Sequence, residues 1–225
     1  MFRVQIDSVN KKAEFSVKQN MAGVTFDINK TVEGTVSAVT DSEFGSDVKV
    51  KVQLIRKNQP NAVLADAVYN DYKEVLKTIY KKHSGKCLFF ALKDNLSLSE
   101  DAHLLVTLDW SATPITEIIV HENRQLATTN RPLTIKKEAI AEESEVDSEF
   151  YNMLVFTDTV ERIESVISVV GDGGDVTNAK QEQHFDYMKS LSDSENSYVA
   201  LGTQSNQKVK FFAVGSSADI YKVSF

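Results

Sequence analysis

The chain has 225 residues, 42% of them hydrophobic and 25% charged, with mean hydropathy −0.25. That suits one large folded domain or two small ones and excludes a disordered or collagen-like chain. A net charge of −7 and an isoelectric point near 5.2 exclude nucleic acid as the main partner, because a phosphate-binding surface needs a net basic face. The single cysteine, Cys87, rules out an internal disulfide framework and a four-cysteine zinc site. The most apolar run, Leu88 to Leu92, is far shorter than the roughly 20 residues of a spanning helix. The start, Met1 to Asp7, has no apolar core of signal-peptide length, so the chain is expected to be made in the cytoplasm and to leave only by cell lysis.

Along the chain the dominant period is two. Strands are predicted at 12–17, 24–29, 34–40 and 48–54, where Val48-Lys49-Val50-Lys51-Val52-Gln53-Leu54 alternates apolar and polar residues as a strand with one wet and one buried face does. Residues 69–82 then switch to a helical period. Tyr69, Tyr72, Val75, Leu76, Ile79 and Tyr80 share one face, opposite Asp71, Lys73, Glu74 and Lys77, with Asn70 or Asp71 as a cap and Gly85 as a stop. Further strands follow at 86–93, 103–110, 115–121, 131–137, 150–157 and 163–170. A shorter helix is predicted at 180–192 on Phe185, Met188 and Leu191, and last come strands at 196–202, 207–214 and 218–224. Strands at this spacing with polar connections form an antiparallel sandwich or barrel, since a parallel sheet needs a helix after nearly every strand.

The two helices suggest a duplication. Asp71-Tyr72 and Asp186-Tyr187 stand 115 residues apart, as do the starts of the strands at 103 and 218. The predicted units are 1–114, with a helix near 69–82, and 115–225, with a helix near 180–192. The acidic run Glu142–Glu149 reads as a solvated loop.

No residue pattern asks for catalysis. His83, His103, His121 and His184 are scattered, without HExxH or an i, i+4 pair. Cys87 has no histidine at a motif-like distance and reads as a buried, inert thiol; there is no GxSxG and no Walker loop. Trp110 ends a strand, where the core or an interface fits it better than stacking on a sugar. Gly171-Asp172-Gly173-Gly174-Asp175 admits two readings. One is a tight glycine turn. The other is a calcium site using Asp172 and Asp175, whose two carboxylates are too few for the ion's roughly 6–8 oxygens unless a neighbouring subunit completes the shell. No other cofactor is expected.

In order and spacing, the strands Val24–Lys30, Gly34–Thr40 and Val48–Ile55, the helix Asn70–Lys82 and the strands Lys86–Lys93 and His103–Trp110 form one unit. Arg162–Gly171, Phe185–Ser192 and Ala218–Phe225 repeat that order. This resembles the double jelly-roll major capsid proteins of tailless, internal-membrane bacteriophages, the corticovirus-like group. The resemblance covers nearly the whole chain but carries no diagnostic residue motif, and the chain is short for that family.

The resemblance implies an all-β fold with short inserted helices: two consecutive eight-stranded antiparallel jelly rolls. It implies a non-enzymatic virion protein made in the host cytoplasm, whose pseudo-hexameric homotrimers tile an icosahedral shell. Its partners would be further copies of itself, other virion proteins such as a vertex or penton protein, and an internal lipid membrane, for which the basic residues Arg3, Lys11, Lys12 and Lys18 are the candidate contact. Direct nucleic-acid contact is not expected. The competing readings are a β-sandwich carbohydrate-binding module and a spike or vertex protein of a virion.

Overall fold

The computed structural model describes residues 1–80, 85–148, 150–168, 174–191, 198–203 and 207–225. It divides into two compact units. One takes Met1–Lys73, His83–Thr134 and Phe225; the other takes Glu74–Lys82 and Ile135–Ser224.

The first unit opens with the two-residue strands β1 (Phe2–Arg3) and β2 (Ile6–Asp7), then β3 (Lys12–Val17), β4 (Gly23–Val32) and β5 (Thr35–Ala38). A short helix α1 (Asp41–Asp47) leads to β6 (Lys49–Arg56), β7 (Ala62–Val68) and the helix α2 (Tyr69–Tyr80). The strands β8 (Cys87–Phe89), β9 (Asn95–Leu96), β10 (Ala102–Asp109), β11 (Ile115–Asn123) and β12 (Thr128–Thr129) follow.

One sheet runs β1-β11-β4-β5, with β8 on the same side of β4 as β5; a second face is built from β7-β6-β10-β3-β2. Both are antiparallel wherever the registers run, and β9 and β12 form a small parallel pair. Rings from both sheets and both helices fill the core in a chain of edge and stacked contacts, Phe2–Phe15–Phe26–Phe44–Tyr69–Tyr72, with centroids 4.5 to 6.1 Å apart.

The predicted strands at 12–17, 24–29, 48–54 and 103–110 form within a few residues of their expected ends. Besides the two-residue strands β1, β2, β9 and β12, two longer elements here were not predicted. The strand β7 reads Ala62-Val63-Leu64-Ala65-Asp66-Ala67-Val68, and its three alanines conceal the β pattern. The helix α1 is short, but a capping box holds it: Thr40 accepts from the Glu43 N–H, and the Glu43 carboxylate accepts from the Thr40 N–H. Helix α2 begins at Tyr69, so Asn70 lies in its first turn, over Gly45 of α1, instead of capping it. Tyr72, Val75 and Leu76 are buried and Ile79 is half-buried.

The second unit carries β13 (Thr134–Asp147), β14 (Met153–Phe156), β15 (Val160–Ser168), β16 (Asp175–Thr177), the helix α3 (Ala179–Ser190), β17 (Val199–Gly202) and β18 (Gln207–Ser224). Six strands are therefore described here, counting β13, which starts at the division. The two strands expected at 207–214 and 218–224 are one continuous β18, which pairs through Gln207–Ala213 with β15 and through Ile220–Val223 with β14. Phe156 packs on Phe185 and Phe211 at 5.5 and 6.1 Å inside a core that includes Leu154, Ile163, Val199, Leu201, Val209 and Ile220. The acidic run expected as a loop, Glu142–Glu149, lies largely in β13, where Glu143 and Glu145 pair with Lys210 and Lys208 of β18.

Strand β11, which the sequence assigns to the second half, pairs with β4 and β1 of the first unit, and the units divide after Thr134 instead of 114. The dipeptide markers also sit differently. Tyr72 is buried near the start of α2, whereas Tyr187 lies late in α3 and is exposed. Matching letters at a matching offset therefore did not mark equivalent positions.

Candidate functional site

The described residues contain no group of three or more histidine, cysteine or acidic side chains arranged to hold a metal. Asp172 of the candidate calcium turn lies outside the described residues, as does His83. Asp175 is exposed at the start of β16 and accepts the Ser168 hydroxyl at 2.9 Å. The remaining histidines are separate. His103 stands on β10 and His184 on the exposed side of α3, while His121 meets the exposed Asp27 at 2.7 Å. Trp110 is 7% exposed, so its ring offers no open stacking face.

Cys87 is buried, and that burial pushes its thiol up, away from the range of a reactive thiolate. Tyrosines surround it for a structural reason. On either side of β8 the backbone groups of Lys86 and Phe90 face β4 and the residue before it, with the Phe26 N–H donating to the Lys86 carbonyl and the Phe90 N–H to that of Ala22. Cys87 and Phe89 therefore face the other way. The Tyr69 hydroxyl accepts from the Cys87 N–H at 2.7 Å, and the Tyr72 hydroxyl accepts from the Phe89 N–H at 2.8 Å. Residues i and i+3 of a helix thereby close positions i and i+2 of a strand.

A shallow groove is lined by Gln5, Ile6, Asp7, Ser8, Asn10, Lys12 and Glu14. Its charged groups are already engaged: Asp7 accepts from the Val9 and Asn10 N–H groups at 3.1 and 3.0 Å, and Lys12 pairs with Glu14 at 2.8 Å. Three of the four basic residues named for membrane contact bond within the unit, since Arg3 pairs with Glu117, Lys12 with Glu14, and Lys11 donates to the Ser111 carbonyl.

Asp47, the last residue of α1, accepts from the successive N–H groups of Ser111, Ala112 and Thr113 and from the Ser111 hydroxyl, at 2.6 to 3.0 Å. Burial works against its charge, but these donors outweigh it and hold the carboxyl well below the usual carboxylate range. This is an anion nest filled by the chain's own carboxylate, tying α1 to the turn before β11.

In the second unit the side chains of Ser165 and Gln207 are fully buried. The Gln207 amide donates to Ser165 Oγ at 2.6 Å and to the Gln181 carbonyl oxygen, and Glu182 accepts from the Ser165 N–H at 2.9 Å. Every partner in this network is internal, and its effect is to seat α3 on β15.

Among the described residues, strand edges and scattered apolar side chains are also exposed. Val32 and Val36 of the β4–β5 hairpin are 49% and 65% exposed, and all four residues of β5 are exposed. Phe150 and Tyr187 are the aromatic residues among the exposed large apolar side chains, on separate elements.

No protein-family model matches the chain, and no curated protein matches its sequence. Among solved structures it is similar to the crystal structure of the STIV MCP, a major capsid protein. The identity is 7%, the TM-score 0.54, and the match covers 99% of this chain and 92% of that one. At so low an identity the likeness is one of fold, and the chain has the double jelly-roll fold.

Proposed function

We propose that this chain is a structural virion protein: a major capsid protein whose pseudo-hexameric trimers tile an icosahedral shell. The observation that carries the reading is the extent of the likeness. Nearly the full lengths of two chains correspond, so the match is to a complete two-barrel subunit and not to one jelly roll, a module that serves many functions. The neighbour is a structural capsid protein, and the reading accordingly assigns this chain a structural role. A bacteriophage of the corticovirus-like group, an internal membrane under the shell and a vertex or penton protein as neighbour belong to this reading as its finer parts.

The test is the size and shape of the purified chain. Light scattering is expected to give a trimer or larger assembly, and negative-stain micrographs six-lobed capsomers. Monomers or small dimers across a wide concentration range, with binding to a carbohydrate array, would favour the binding-module reading instead. The buried Trp110 weighs against that outcome.

A further inference from the structure

The hairpin β4–β5 ends one sheet with a strand that has a partner on one side among the described residues. Its turn, Glu33-Gly34, has φ of 50° and 80°, as a two-residue I′ hairpin requires. The Val39 N–H donates to the Ile28 carbonyl at 2.8 Å, and Val32 faces Thr35. The alternation of antiparallel pairs then turns Thr35 and Ser37 toward β4, and turns the N–H and C=O of Val36 and Ala38 outward.

Natural edges are guarded by charge, proline, bulges or a covering element. Here β8 is closed by Tyr69 and Tyr72, β16 carries Asp175, and β17 has its Gly202 carbonyl bonded by Gln181 of α3 at 2.7 Å. Strand β5 reads Thr35-Val36-Ser37-Ala38, exposed throughout, with no charge and no proline.

We propose that β5 is a self-pairing edge, at which two copies of the chain join antiparallel about a two-fold axis through Ser37. The register follows from the outward groups. With Val36 opposite Ala38 of the second copy, both outward residues pair with strand residues, giving four hydrogen bonds and no like charges across β5. A shift of two residues hands Ala38 to the turn residue Gly34. The opposite shift hands Val36 to Thr40, whose N–H is already bonded by Glu43 at 2.8 Å. Four bonds make a weak contact alone, one that gains force where other contacts hold copies close. It is a two-fold contact, distinct from the three-fold one of the proposed trimer, and it stands without that trimer.

In this register Ser37 faces its own copy at the closely spaced position, with Cα atoms about 4.5 Å apart, within disulfide reach. The experiment oxidises the full-length Ser37→Cys chain mildly and resolves it on a non-reducing gel. A disulfide-linked dimer is expected. Thr35→Cys, which faces Val39 of the second copy, is expected to stay monomeric, and Cys87 is buried. Adding Val36→Pro, which removes an outward donor and leaves the β4 ladder intact, is expected to abolish the dimer while the melting temperature holds. In the unaltered chain, exchange of the Val36 and Ala38 amides is expected to slow as concentration rises.

A folded Ser37→Cys chain that stays monomeric, equal linkage through Thr35→Cys, or exchange independent of concentration overturns the proposal. Trimers without the Ser37 link would leave the capsid reading standing and remove this one. The link without any higher assembly would do the reverse.

Discussion

Tyr72 closes the open edge of β8 at Phe89: its hydroxyl accepts from the Phe89 N–H at 2.8 Å and donates to the Phe89 carbonyl at 3.2 Å. Tyr69 does the same at Cys87. The helix thus supplies what a neighbouring strand would, and the buried backbone of β8 has no need of one. Removing the Tyr69 hydroxyl as Tyr69→Phe leaves the Cys87 N–H without that acceptor in a buried place. The expected cost is about 1–3 kcal/mol, read as a lower urea midpoint at unchanged slope. A loss near zero would mean that water reaches β8.

Leu76 is fully buried on the apolar face of α2. Leu76→Ala is expected to cost about 2–5 kcal/mol, the range for a buried leucine that leaves a cavity. Ile79 on the same face is half-buried, so Ile79→Ala is expected to cost less. Equal losses would mean that the helix does not bury the two positions differently.

Of the carboxylates that folding holds below their ordinary values, Asp47 and Glu43 are held furthest down. The donors around Asp47 hold it well below its ordinary value, and the Lys30 ammonium and the Thr40 backbone hold Glu43 down at about 2. Folding lowers both values, so the stability they contribute is fully present above the unfolded values, about 3.9 for Asp and 4.3 for Glu. It is lost as pH falls through the folded ones. Asp47→Asn is expected to lower stability at pH 7 and to flatten its decline below pH 4. Denaturant midpoints at pH 7, 5, 4 and 3 check this, and parallel curves for the two proteins would refute it.

A calcium ion shared between subunits through Asp172 and Asp175 remains a proposal within the capsid reading. It offsets repulsion between chains of −7 each. Chelator is expected to lower both the melting temperature and the assembly size, and Asp172→Asn/Asp175→Asn to remove that sensitivity. If chelator changes neither in the unaltered chain, the calcium reading falls.

The sequence alone determined the β character, the helix that begins at Tyr69 and many of the strands, because alternation such as Val48 to Leu54 and the one-sided face of Tyr69 to Ile79 are local periodicities that packing then uses. It also ruled out an internal disulfide framework, which is a matter of count, since the chain has a single cysteine. What it left hidden depends on which strand pairs with which. Alanine-rich β7 is a strand because β6 lies beside it, and the acidic run of β13 is a strand because Lys208 and Lys210 lie opposite. The lysines opposite β13 lie far down the chain, and β7, although next to β6 in sequence, reads as a strand only once its pairing with β6 is seen. The bare edge of β5 is equally invisible in the letters Thr-Val-Ser-Ala, since only the pairing with β4 decides which of its amides face outward.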